Sequence, residues 1–153
     1  MGENAGVAGD GVVPLAARTT IDADTQIDAS SSQGNGGEVI IWGRDEVNFH
    51  GSINTLGGNN GFVEVSTFGS GAIAGQAQTG HFLVDPGDVC VTTGGSTANC
   101  AAGAAPISGT SIENTLNGGG IVEINTDVRG TNGTGRVDFG GTGSITVNNN
   151  TGM

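Results

Sequence analysis

The residue types in this chain that can do chemistry are few, and their spacing limits what they can do. Cys90 and Cys100 are the only thiols, with nine residues between them and a Gly94-Gly95 pair that lets the segment fold back. In an oxidising compartment such a pair closes a disulfide, worth on the order of 2–3 kcal/mol for a loop of this length. The other reading is two unrelated thiols, Cys90 buried in a strand and Cys100 exposed. Neither reading is zinc, because no histidine lies near them. Asp22, Asp24 and Asp28 would share one face of an extended strand and could gather oxygen ligands for calcium. The glycine-rich calcium nonapeptide is missing, so a solvated acidic face is the simpler account.

Catalytic constellations fare worse. His50 and His81 stand 31 positions apart with no sign of a shared face. Gly94-Gly95-Ser96-Thr97-Ala98 misses a nucleophile elbow at its last position. Gly69-Ser70-Gly71-Ala72-Ile73-Ala74 fits a dinucleotide fingerprint by letter only, since no helix of a βαβ unit follows it. Asp45 and Glu46 are adjacent, so on a strand they face opposite ways and cannot serve one glycosidic bond. Trp42 and Phe49 read as packing residues rather than a sugar-stacking platform. The expectation is a protein with no catalytic residues, no cofactor and no metal.

The elements that would hold these residues follow from composition. Of 153 residues 31 are glycine, aromatics are 4%, and 4 basic residues (all Arg) face 15 acidic ones for a net charge of −11. An acidic chain without lysine is repelled by phosphate backbones, which excludes nucleic acid as a partner, and it cannot carry a P-loop. The longest uninterrupted apolar run, Val39-Ile40-Ile41-Trp42, is far short of the roughly 20 residues of a spanning helix. Met1-Gly2-Glu3-Asn4 has neither a basic n-region nor an apolar h-region, so the chain reads as cytosolic or as an internal piece of something longer. Abundant, grouped Val, Ile and Thr argue against disorder and for a glycine-punctuated β protein.

Short alternating runs between clusters of Gly, Asn, Ser and Thr predict strands at 19–21, 26–29, 38–42, 47–49, 52–55, 62–67, 72–74, 81–84, 88–92, 121–126, 136–139 and 144–148. Only Ile107 to Leu116 carries helical spacing, with Ser108 or Thr110 as a cap. Gly37-Glu38-Val39-Ile40-Ile41 superposes on Gly61-Phe62-Val63-Glu64-Val65 at an offset of 24, and Gly120-Ile121-Val122-Glu123-Ile124 repeats the shape. Ile27-Asp28-Ala29-Ser30 matches Ile53-Asn54-Thr55-Leu56 at an offset of 26. That period is one coil of a parallel β-helix, whose stacking buries a narrow column of small apolar side chains. Val39, Ile41, Val63 and Val65 are expected to point into that column. An antiparallel sandwich shares the short strands, but turns of four or five residues favour the solenoid.

Four ordered blocks add specificity: Gly36-Gly37-Glu38-Val39-Ile40-Ile41-Trp42, Phe49-His50-Gly51-Ser52-Ile53, Gly57-Gly58-Asn59-Asn60-Gly61-Phe62-Val63-Glu64-Val65-Ser66 and Thr79-Gly80-His81-Phe82-Leu83-Val84-Asp85-Pro86. This succession, over about a third of the chain, resembles the filamentous haemagglutinin-like exoproteins of two-partner secretion systems. Ser111-Ile112-Glu113-Asn114-Thr115-Leu116-Asn117-Gly118-Gly119 looks like that family's next coil, while Ser66-Thr67-Phe68-Gly69 departs from its turn. The resemblance implies an all-β, right-handed parallel β-helix of short strands with Gly- and Asn-rich turns. It would be a non-catalytic structural or adhesive segment, secreted to the bacterial surface. Implied partners are an outer-membrane transporter, cell-surface glycans or proteins, and further copies stacked at the helix ends. A carbohydrate-binding or carbohydrate-active β-helix is the alternative. In this reading 1–18 is an irregular extension, 19–92 holds family-like coils, 93–106 is a Gly/Ala-rich loop, and 107–153 adds further coils.

Overall fold

The computed structural model describes residues 16–93, 97–126 and 135–141. They form a mostly β structure of three parallel sheets with one short helix. The strands are β1 (Arg18–Ile21), β2 (Gln26–Asp28), β3 (Glu38–Gly43), β4 (Glu46–Phe49), β5 (Ser52–Asn54), β6 (Phe62–Thr67), β7 (Ser70–Ile73), β8 (Gln76–Gln78) and β9 (His81–Asp85). They continue with β10 (Val89–Thr92), β11 (Ala105–Ser108), helix α1 (Gly109–Asn117), β12 (Ile121–Ile124) and β13 (Val137–Gly140). From β1 to β9 the chain lays one strand in each sheet in turn and then returns to the first. The sheets run β1-β4-β7-β11-β10-β13, β2-β5-β8 and β12-β9-β6-β3.

Register follows the sequence repeat. Val39 lies beside Val63 and Ile41 beside Val65; the next strand sets Phe82 beside Val63 and Val84 beside Val65. Val122 and Ile124 extend both rows. Ile41, Val63 and Val65 are buried in the core, and Val39, in the edge strand, is partly buried against it. A second row, Ile21, Phe49, Ile73 and Ile107, runs through the first sheet. Ile27, Ile53 and Ala77 form the third. Alternate residues of strands β1 to β11 enter one core from three sides. Each fully buried Val, Ile or Phe contributes roughly 1.5–3 kcal/mol.

Some polar groups inside the stack are paired across repeats. The buried hydroxyl of Thr55 donates to that of Thr79 at 2.7 Å, and Thr79 Oγ1 donates to the Gly61 carbonyl at 2.8 Å. At the turns Asn59 Nδ2 donates to Asn35 Oδ1 at 2.9 Å. Close stacking of turns requires glycine: a Cβ on Gly36 would stand 1.8 Å from the Thr55 carbonyl oxygen.

Several expectations shift. The strand expected at 72–74 begins earlier, at Ser70, because it registers Glu46↔Ser70 through Phe49↔Ile73. β8, with the sequence Gln-Ala-Gln, carries too little apolar pattern to be anticipated, and pairing with β5 makes it a strand. β11 starts inside the stretch read as the 93–106 loop. Its Pro106 has no N–H to give, and on the β7 side the one registered pair is Ile107↔Ile73. The reading of 107–153 as coils is interrupted by α1, where the Ile112 and Leu116 spacing wins. Ser108 caps it, accepting from the Ser111 N–H. The strand expected at 144–148 and most of the 1–18 extension lie outside the described residues.

Helix α1 occupies the place beside β8 where a further strand of the three-stranded sheet would sit. Its hydroxyls meet the strand's backbone: Thr115 Oγ1 donates to the Ala77 carbonyl at 2.9 Å and Ser111 Oγ to the Gly75 carbonyl. Ala77 stands where the preceding strands carry Ile27 and Ile53, and Ile112 of the helix is buried in the same core. Strand order also departs from chain order in the first sheet, where β10 lies beyond β11. Among the described residues no helix is long and apolar enough to cross a membrane.

Candidate functional site

Cys90, in β10, and Cys100 stand at disulfide distance with their Cα atoms 5.6 Å apart. Cys90 is registered with Asp138 of β13. The Asp138 carboxylate accepts from the Ala101 N–H at 2.9 Å and from Arg136 Nη2 at 2.7 Å. The cysteine pair and this carboxylate therefore set the 97–104 loop against the end of the first sheet.

The acidic trio does not form a strand face. Asp22 and Asp24 lie in the turn between β1 and β2, exposed, and only Asp28 belongs to a strand. The Asp28 carboxylate accepts the Ser30 N–H at 2.9 Å, and hydrogen bonding to Ser30 holds its pKa below the ordinary 3.8. Among the described residues no group of three His, Cys, Asp or Glu side chains could hold a metal ion.

The remaining ionisable residues are engaged separately. Asp45 takes a two-pronged contact from Arg44, Nε at 2.8 Å and Nη2 at 3.0 Å. That hydrogen bonding lowers the Asp45 pKa and raises that of Arg44. Glu46 instead meets Arg18 at 3.3 Å and Asn48 Nδ2 at 2.8 Å, so the adjacent carboxylates serve different partners. His81 Nε2 lies 3.0 Å from Glu123 Oε2, and its ring sits edge-on to Phe62. His50 is exposed at the corner between β4 and β5. Phe49 is wholly buried, and half-buried Trp42 packs edge-on against Phe68.

A recess that could receive a ligand lies elsewhere, on the outer face of β2-β5-β8 beside α1. Residues alternating with the buried Ile27, Ile53 and Ala77 form two outward rows, Gln26-Ser52-Gln76 and Asp28-Asn54-Gln78. Between β8 and the helix opens a groove of about 400 Å³, lined by Gln76, Gln78 and Asn114, with Leu56 at its rim and Thr79 and Thr115 at its base. A shallower recess of about 170 Å³ runs across the two rows. Asn114 Nδ2 donates to Gln76 Oε1 at 2.5 Å, anchoring one amide to the helix. No single strand in this region reads as a site in the sequence, because the rows appear only when three strands 24 or 26 residues apart are stacked.

No family model, curated protein or solved structure matches the chain.

Proposed function

We propose that the chain is a non-catalytic structural and adhesive segment of a secreted, filamentous haemagglutinin-like surface exoprotein, folded as a right-handed parallel β-helix. The observation that carries this reading is the in-register return of β1–β9 to three parallel sheets. A chain that buries its core by repetition lengthens by adding repeats and exposes a long lateral surface, as a surface filament needs. The right hand follows the usual hand of parallel crossovers. The ordered blocks between Gly36 and Pro86 resemble that family, and the resemblance implies export through an outer-membrane transporter and contact with cell-surface glycans or proteins. The separate partners of Asp45, Glu46 and His81 favour a non-catalytic role over a carbohydrate-active one.

The test is adhesion itself. Purified chain coupled to fluorescent beads is expected to retain them on epithelial monolayers or on bacterial lawns. Retention no greater than that of beads bearing a β-rich control protein of equal charge would overturn the adhesive role.

A further inference from the structure

We infer that the groove between β8 and α1, with the amide rows beside it, binds a neutral oligosaccharide; this rests on the adhesive reading and names the chemistry of its partner. The groove lies in the 300–1,000 Å³ range of small-molecule sites, at about 400 Å³. None of its lining residues is charged, in a chain whose net charge is −11. Sulfated and uronate chains would meet no cation there and a repelling field around it.

Hydroxyl-rich ligands need groups that donate and accept at once, which amides and hydroxyls do. Gln78 is exposed, and among the described residues neither its side-chain amide nor the hydroxyl of Ser52 in the adjoining row has a hydrogen-bond partner. Gln76 is held by Asn114, so part of the amide array is fixed before a ligand arrives. Leu56, 36% exposed, gives the rim an apolar surface for the C–H face of a sugar ring. The rows repeat at about 4.8 Å across the strands, presenting like groups to successive units of a linear chain. Asp28, the one charge in the rows, lies at the end away from the groove.

Nitrogen-15 NMR on the intact chain tests this. The probes are cellotetraose, maltotetraose and chitotetraose, with tetragalacturonate and a heparin tetrasaccharide as anionic comparators. At least one neutral probe is expected to shift the side-chain amides of Gln76, Gln78 and Asn114 saturably at millimolar concentration, while the anionic probes leave them unmoved. Gln78→Ala, an exposed change, is expected to weaken that binding about tenfold, and Leu56→Ala to weaken it less. The inference fails if no neutral probe shifts these amides, if the shifts map elsewhere, if anionic probes bind equally, or if Gln78→Ala changes nothing. Bead retention surviving such a failure would leave the adhesive reading standing on another surface. Loss of retention with oligosaccharide binding intact would remove that reading and keep the site.

Discussion

Thr55 and Thr79, 24 residues apart in the chain, share a hydrogen bond of 2.7 Å between hydroxyls shut away from water. Removing the Thr79 hydroxyl takes away the acceptor of Thr55, whereas removing the Thr55 hydroxyl leaves Thr79 donating to the Gly61 carbonyl. Thr79→Val is expected to lower stability by roughly 1–3 kcal/mol and Thr55→Val by less, about 0.5–1.5 kcal/mol. The double variant should cost clearly less than the sum, as groups in direct contact do. Urea unfolding of the three variants checks this, and strict additivity would place the bond outside the energetics of the core.

Val63 sits between Val39 and Phe82 with no exposed surface. Val63→Asp would bury a charge with no partner and is expected to leave the chain unfolded at room temperature. Val63→Ala should remain folded with a lower urea midpoint. A Val63→Asp variant with the parent's circular dichroism and melting temperature would show the register to be wrong.

Cys90 and Cys100, at disulfide distance, are expected to form a bridge closing a loop of sequence separation 10. Its reduction is expected to lower stability by about 2–3 kcal/mol in the loop-entropy model. The effect should concentrate in β10 and β13, read by hydrogen exchange. Folded, oxidised protein in which both thiols alkylate without reductant would refute the bridge.

Acid should loosen the turns before the core. Asp28 and Asp45 have folded pKa values below the ordinary 3.8, through Ser30 and Arg44 respectively. Carboxylates shifted this way add stability that is fully present above the unfolded value and is lost as pH falls through the folded one. Both groups are fully exposed, so the effect on melting temperature should be small. Carboxyl NMR titration is the direct measurement, and midpoints at or above 3.8 would contradict the two contacts.

Among the described residues β1, β2 and β3 each pair with a strand on one side only, so all three sheets end on the same repeat. Unpaired strand edges invite further strands. The net charge of −11 opposes contact between copies, and salt screens that repulsion within about 8 Å at physiological strength. Self-association by sedimentation is therefore expected to rise with added salt. A chain that stays monomeric from low to high salt at high concentration would show those edges to be covered.

The parts of the fold written in local periodicity were legible in the sequence. Val39, Ile41, Val63 and Val65 could be aligned because Gly-x-Val-x-Val/Ile recurs at a fixed offset and inward residues alternate strictly. Helix α1 could be anticipated because Ile112 and Leu116 sit one turn apart behind Ser108. β8 and β11 could not, since a single alanine between glutamines and a proline-bearing strand owe their conformation to the strands beside them. The groove was equally hidden. Gln78 and Asn114 are ordinary polar residues until a helix takes the position of a strand and brings them to one opening.

The exchanged order of β10 and β11 bears on how the chain can assemble. Strands β4 to β9 each find a registered neighbour in chain already made, so they can dock in the order in which they emerge. β10 cannot: its registered partners are Ala105–Ser108 and Val137–Gly140, both later in the chain. The apolar segment Val89-Cys90-Val91 must therefore wait, undocked, until β11 has seated against Ile73. Assembly in chain order is therefore expected to pause at residue 89 and to resume after a doubling back.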